Sequence, residues 1–263
     1  MALSGEQLLL ILLVASFTPP ILYAGWIRRA AAYQQVGTGT LAKGFIFGAI
    51  LGVIVAVILS LILIYVYASQ GQNFYQRLGF TGSLPEIIVL GSIIAPLAEE
   101  IAKLLGVHLL RSNLRQHGDG FVIGGSCGLG FAATENALYG LAAYFEAGLE
   151  GLIVVAVLRA LTSALLHASA TAISGHGYAL FHLHGQTRWL ILNYFVAVFL
   201  HGFFNLMAAL GVLYEAQYGI LPFIVGLLVI LVVSWGAIRY VRGKVSEADL
   251  ANAIAAREKK KAA

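Results

Sequence analysis

Residues 96–103 read Pro96-Leu97-Ala98-Glu99-Glu100-Ile101-Ala102-Lys103, and they lie inside an otherwise apolar segment, Ile87 to Leu110, long enough to cross a bilayer. A charged side chain at bilayer depth is costly unless it faces protein or a watery cavity, so such groups mark functional sites by default. The same pattern recurs downstream at Glu135, His167 and His201, each within a further apolar stretch. We read the five groups as parts of one site.

The surrounding composition sets the class. The chain has 263 residues, of which 60% are hydrophobic and 11% charged, with a mean hydropathy of +0.87. That is more apolar surface than a soluble core of this length can hide. A span needs roughly 20 mostly apolar residues to cross a ~30 Å hydrocarbon core. Seven stretches qualify: Gln7 to Trp26, Phe45 to Ala68, Ile87 to Leu110, Phe121 to Phe145, Leu152 to Ile173, Leu190 to Leu213 and Ile220 to Arg239. No alternation of the β-barrel kind is present, so the spans are expected to be helices whose backbone hydrogen bonds are satisfied internally. The expected fold is all-α: a polytopic integral membrane bundle of about seven transmembrane helices (six to eight) around a mid-membrane polar site. Residues 1–263 read as one transmembrane domain, with a motif-bearing core over about 87–210 and a basic cytoplasmic tail over 240–263.

Basic residues support this count independently. With the N-terminus outside, the inner segments hold Arg28, Arg29, Lys43, Arg111, Arg115, Arg188, Arg239, Arg242, Lys244, Arg257, Lys259, Lys260 and Lys261, while the outer segments hold Arg77 alone. A positive-inside bias of that size predicts an odd number of spans and a cytoplasmic C-terminus in the cell (inner or plasma) membrane. The first helix is expected to be retained rather than cleaved as a signal peptide, because no Lys or Arg precedes it and Pro19-Pro20 interrupts its second half. Phe74, Tyr75 and Phe80, in the outer connection Ser69 to Pro85, suit the headgroup level as aromatic anchors. The tail from Ser246 to Lys261 has helical character and suits either solvent or the anionic inner leaflet. Cys127, in a Gly-rich stretch, reads as a small packing residue. The lipid bilayer is the partner implied, and no nucleic acid; oligomeric state is not legible.

Neighbouring residues on a helix point about 100° apart, so Glu99 and Glu100 cannot face one cavity equally. One is expected to work while the other supports it. Lys103 follows at i+4 and i+3 and can pair with either. Gly120, Gly124 and Gly128 form a small-residue face that lets another helix approach closely. Beyond it come Glu135, Asn136 and, one turn after Glu135, Tyr139. The next span contributes Arg159 and His167, and the one after it His201 with Asn205 at i+4 on the same face. His176, His182 and His184 lie in or beside an inner loop and are expected to be solvated or interfacial.

Three glutamates against Lys103 and Arg159 leave one negative charge if all are ionised, a deficit suited to a proton or a metal cation. Carboxylates and neutral imidazoles ligate zinc, and a catalytic zinc usually keeps three protein ligands and an open position. Glu135, His167 and His201 are a sensible divalent-metal set, with a nearby carboxylate moving the proton of the attacking water. A metal-free arrangement is equally open: a glutamate activates water directly, and His201 with Asn205 donates to the developing oxyanion.

Four runs, Glu99-Glu100-x-x-Lys103, Phe131-x-x-x-Glu135-Asn136-x-x-Tyr139, Arg159 through His167, and His201-x-x-x-Asn205, resemble the PrsW family of intramembrane proteases, distant relatives of the type II CAAX prenyl endopeptidases and the bacteriocin-processing proteins grouped with them. The resemblance covers roughly Ile87 to Leu210. It implies an intramembrane endopeptidase that cuts a membrane-anchored protein such as an anti-sigma factor. Glu99 and Glu100 would carry the general base, and His167 and His201 would be ligands or oxyanion donors. Relatives that process prenylated proteins carry His where this chain has Glu135, which disfavours a prenylated substrate. The acidic, Pro-containing segment that family members often show after the first helix is replaced by Trp26-Ile27-Arg28-Arg29 and an Ala-rich stretch. The rival from another class is a proton- or cation-coupled transporter, since buried Glu and His also line ion pathways. Paired internal repeats with broken helices, common in transporters, are not seen. A third reading is a scaffold that uses the polar cluster to hold partner helices.

Overall fold

The computed structural model describes residues 4–77 and 86–262. It is 92% helical with no strand among those residues, so the chain is a helical, polytopic membrane protein. Nine α-helices are described: α1 (Gly5–Arg28), α2 (Thr38–Phe47), α3 (Val53–Arg77), α4 (Glu86–Val89), α5 (Ala95–Leu109), α6 (His117–Leu161), α7 (Ser163–His184), α8 (Thr187–Tyr218) and α9 (Leu221–Ala262). One π-helical turn, Gly48–Gly52, joins α2 to α3, and a second, Leu90–Ile94, joins α4 to α5.

Each of the seven expected segments falls on helix, but the breaks differ from the expected ones. The fourth and fifth segments lie within one run, His117–His184, too long for a single crossing. It turns at Ala147 and Gly148, where Gly148 adopts φ 65°, ψ −155°, a conformation essentially restricted to glycine. It breaks again at Thr162, so the expected span Leu152 to Ile173 is two helical pieces meeting beside Arg159. In α1, Pro19 and Pro20 do not interrupt the helix, which runs through both of them. Neighbouring groups re-satisfy the backbone freed by proline in membrane helices. Its start is set by a reciprocal cap between Ser4 and Gln7. The outer connection is shorter than expected because α3 continues to Arg77. Phe74 and Tyr75 therefore fall on helix, and Phe80 lies outside the described residues.

The first arm of α6 and the start of α7 form the centre. Gly118 to Ala133 and Thr162 to Ala172 are buried on every side, the pattern of a helix wrapped by others. The outer surface is the reverse of a soluble protein's, with Leu10, Leu61, Phe199 and Val232 exposed while Glu100, Lys103, His167 and His201 are buried. Gly120, Gly124 and Gly128 face α7, where an added Cβ would strike the carbonyl groups of Gly175, Thr171 and His167 respectively. The expected small-residue packing face is thus the α6–α7 contact, and it fixes the height of His167. Cys127 is buried among Gly44, Gly106 and the π turn, a packing residue as expected.

One end of the bundle gathers the segments read as inner. Arg115 Nη2 donates to Gln35 O at 3.0 Å, tying the α5–α6 connection to the α1–α2 connection. The start of the expected tail is docked, since buried Val241, Val245 and Ala248 seat α9 and the Asp249 carboxylate accepts from Ala32 N, Tyr33 N and Gln34 N at 2.7, 2.7 and 2.8 Å, whereas residues 254–261 are exposed. His176 also departs from expectation, because its ring stacks 4.2 Å from Phe121 and meets His117 and Asn193. His182 and His184 are exposed, as expected.

Gly124→Ala and Gly128→Ala are each expected to lower stability by about 1–3 kcal/mol through overpacking against α7, whereas Gly236→Ala, with nothing within 4 Å of its added Cβ, serves as the neutral control. Thermal unfolding in detergent reads both, and equal melting points for all three variants would contradict this packing. Asp249→Ala is expected to release the end of α9, seen as faster limited proteolysis after Val245 with the transmembrane core intact.

Candidate functional site

Lys103 stands at the centre of the polar cluster. Its ammonium has three donors, and each finds an acceptor: Glu99 Oε2 at 3.1 Å, Glu100 Oε1 at 2.9 Å and His167 Nδ1 at 2.8 Å. The Phe131 ring closes the remaining side, 4.2 Å from Nζ. The adjacent carboxylates that a helix points apart are thus both held from one turn below. His201 repeats this from α8, with Nδ1 3.1 Å from Glu100 Oε1 and Nε2 3.7 Å from Glu99 Oε2.

The environments of the two carboxylates differ sharply. Glu100 has a fully buried side chain, with Oε1 taken by Lys103 and His201 and Oε2 accepting from Thr171 Oγ1 at 3.0 Å. Glu99 keeps 13% of its side chain exposed and, among the described residues, accepts a hydrogen bond from Lys103 alone with His201 Nε2 at 3.7 Å, so it is the less committed member of the pair.

The imidazole hydrogen bonds fix their protons. The Lys103 ammonium donates to His167 Nδ1, so Nε2 carries the proton and donates to Glu135 Oε2 at 2.8 Å. In His201, Nδ1–H donates to Glu100, and Nε2 faces Glu99 Oε2 at 3.7 Å. The two rings meet edge to face, with centroids 4.6 Å apart.

A second layer surrounds Glu135. Arg159 donates from Nη2 to Glu135 Oε2 at 2.6 Å and to Ser163 Oγ at 2.9 Å, and from Nε to Asn136 Oδ1 at 2.7 Å. Its guanidinium lies over the Tyr139 ring at 4.0 Å. Glu135 is the most exposed of the three carboxylates, at 22% of its side chain, and its Oε1 has no hydrogen-bond partner among the described residues. The expected neighbours of Glu135, Asn136, Tyr139 and Arg159, therefore form one unit.

The structure groups the expected ligands differently. Ligand atoms of Glu99, His167 and His201 all lie within 4.8 Å of one another. Glu135, expected in that set, instead bonds to His167 from the side and to Arg159. One carboxylate and two imidazoles are the donor types of a three-ligand catalytic zinc. The Glu100 carboxylate behind His201 is the second-shell partner that orients such an imidazole. The residues thus fit a divalent metal, provided His167 exchanges one of its two protein hydrogen bonds. Asn205, expected to serve an oxyanion, donates from Nδ2 to Gly91 O at 2.8 Å, a carbonyl in the second π turn. Close packing of Gly202 on Ser92 sets that contact.

Sequence reasoning missed Thr171, Ser163 and the π turn. Thr171 was within reach, since it follows His167 by one helical turn on the same face.

A family model described as PrsW family intramembrane metalloprotease matches residues 37–237. No curated protein and no solved structure matches the chain significantly.

Lys103→Met strips the donor from three acceptors at once, and breaking a buried ion pair typically costs about 3–5 kcal/mol. A double-mutant cycle with Glu99→Gln is expected to recover part of that loss, measured by unfolding in detergent. Strict additivity of the two substitutions would show that the pair is not coupled.

Proposed function

The chain belongs to the PrsW family of intramembrane metalloproteases, and on that premise we propose that Glu99, His167 and His201 hold the metal while Glu135 moves the proton during peptide hydrolysis. What supports this most is the convergence of one carboxylate and two imidazoles from α5, α7 and α8, with a second carboxylate hydrogen-bonded to one of the same imidazoles. Zinc suits this donor set; when bound, it supplies Lewis acidity that polarises a carbonyl and makes water easier to deprotonate.

The chain's own groups do the rest. Glu135 Oε1 takes a proton as the water oxygen adds to the scissile carbonyl carbon, and returns it to the amine as the C–N bond breaks. Arg159 and Asn136 hold Glu135 in place, and Tyr139 braces the guanidinium. Glu100, fixed by Lys103 and Thr171, aims His201. Lys103 balances the Glu99 and Glu100 charges so that the pair can exist at this depth. Asn205 clamps α8 to the π turn and so sets the height of His201. In this reading Glu99 and Glu135 exchange the roles that sequence alone suggested. The reasons are local: Glu100 has both oxygens committed, Glu99 sits beside the imidazoles, and Glu135 is the most exposed of the three, with an Oε1 that has no hydrogen-bond partner among the described residues.

The substrate is a membrane-embedded protein; a single-span anti-sigma factor is the form the family resemblance suggests. The positive-inside bias supports putting the end of the bundle that gathers Arg28, Arg115, Arg242 and the Asp249 region of α9 in the cytoplasm, with the N-terminus outside the cell membrane and the C-terminus inside.

Glu135→Gln is expected to lower cleavage of a membrane-anchored reporter by about 10²–10⁴-fold while the purified protein keeps its zinc by elemental analysis. His201→Ala and Glu99→Ala are expected to lose both zinc and cleavage, and Glu100→Gln to weaken zinc binding about 10–100-fold. Full zinc occupancy in His201→Ala and Glu99→Ala, or near-normal cleavage by Glu135→Gln, would overturn the assignment.

A further inference from the structure

Next to Glu135 the bundle holds a cavity of about 130 Å³ between the end of α6 and helices α8 and α9. Its lining includes Leu158 and Arg159 from α6, Phe204 and Ala208 from α8, and Phe223 and Leu227 from α9. Phe204 is buried, whereas Ala208 and Phe223 are exposed on the outer surface of the bundle, so the cavity opens sideways, where lipid would be. The walls are set by packing rather than by loops. Phe223 rests on Gly211, whose added Cβ would lie 3.1 Å from the Phe223 Cβ, and Gly226 abuts the Met207 carbonyl one turn further on.

We propose that this cavity is a specificity pocket that takes one Leu-, Met- or Phe-sized side chain of the substrate's membrane segment, adjoining the bond to be cut. The inference rests on the hydrolytic reading above and adds to it the kind of residue recognised. Three observations carry it. The size suits one side chain: an apolar cavity of ~150 Å³ in another protein accepts a benzene ring. The lining is apolar apart from Arg159 and the Thr162–Ser163 junction, which suits a residue from a transmembrane segment. Continuity with the site is direct, because Arg159 lines the cavity and donates to Glu135 Oε2 at 2.6 Å. The Arg159 Nη1 makes no hydrogen bond among the described residues and remains available to a substrate carbonyl. The sideways mouth provides the entry route that a membrane-embedded substrate needs.

The test uses the full chain loaded with zinc in proteoliposomes and a panel of synthetic single-span peptides that differ at one position, with the cut sites read by mass spectrometry. Wild-type protein is expected to cut beside Leu, Met or Phe, and to lose roughly tenfold or more in kcat/KM when that residue is Ala. Ala208→Leu fills the mouth and is expected to reverse the preference toward Ala. Leu227→Ala enlarges the cavity and is expected to admit Trp, a gain that a misfolded protein cannot produce. A photoreactive leucine at the recognised position is expected to cross-link to α8 or α9 in the inactive Glu135→Gln variant, which gives a readout independent of turnover. Active Ala208→Leu and Leu227→Ala with the wild-type preference, or cross-links mapping to other helices, would overturn the pocket and leave hydrolysis standing, with an acyl chain as the occupant. Wild-type protein that cuts no peptide would instead remove the hydrolytic reading, and the pocket with it.

Discussion

The arrangement depends on one ammonium group. Lys103 is fully buried in the membrane-spanning core, yet each of its three N–H bonds meets an acceptor, and the acceptors come from two helices. Without it, Glu99 and Glu100 would be adjacent anions in a low-dielectric medium, where like charges at short range are strongly disfavoured. With it, they become the two ends of a bridge that extends through His201 on one side and His167 on the other. Arg159 does the same for Glu135 one layer away. The two cations and three carboxylates leave a formal charge of −1 shared among neighbouring groups, which the proposed divalent cation would offset. The motif is therefore a solution to solvation whatever chemistry it serves.

Backbone packing turns that charge pattern into a geometry. Glycines of α6 bring it against the carbonyls of α7 at Gly175, Thr171 and His167, so the register between the two helices is fixed by contacts with little freedom. The same register puts Thr171 beneath Glu100 and His167 between Lys103 and Glu135. On the other side, Gly202 on Ser92 and Asn205 on Gly91 fix α8 against the π turn and place His201 above the glutamate pair. A site built on helices locked in this way holds its side chains more rigidly than one built on loops.

Much of this was legible in the chain, for reasons that also mark where legibility stops. Helical spacing predicts that Lys103 can reach both Glu99 and Glu100, and it does. It likewise predicts that Gly120, Gly124 and Gly128 share a face, and they pack as one. Spacing gives the face of a residue on its own helix but not the rotation of that helix against its neighbours. For this reason the position of Glu99 within 4.8 Å of both imidazoles is not legible in the chain, nor is the way Glu135 divides its Oε2 between His167 and Arg159. The π turns at Gly48–Gly52 and Leu90–Ile94 each insert a residue into a run that reads as ordinary helix. The docking of Asp249 on three successive amides depends on a contact between residues far apart in sequence, which no local pattern encodes.

The saturation of His167 has a consequence for how such a centre forms. Its Nδ1 accepts from Lys103 and its Nε2 donates to Glu135, so neither nitrogen is idle. Ligation through Nδ1 would free an ammonium that still has Glu99 and Glu100 as partners, whereas ligation through Nε2 would free the Glu135 oxygen that Arg159 already holds. Either exchange leaves the displaced group paired, because both Lys103 and Glu135 have another ion beside them. Ligation through Nδ1 therefore costs one hydrogen bond, whereas ligation through Nε2 moves the ring proton to Nδ1, which can no longer accept from Lys103, and costs two; neither leaves an exposed charge in the membrane. His201 needs no such exchange, since its Nε2 already faces Glu99 across 3.7 Å with Glu100 holding the opposite nitrogen. On the proposed assignment, the redundancy of cations and carboxylates would let the site rearrange around a metal without stranding any of its charges.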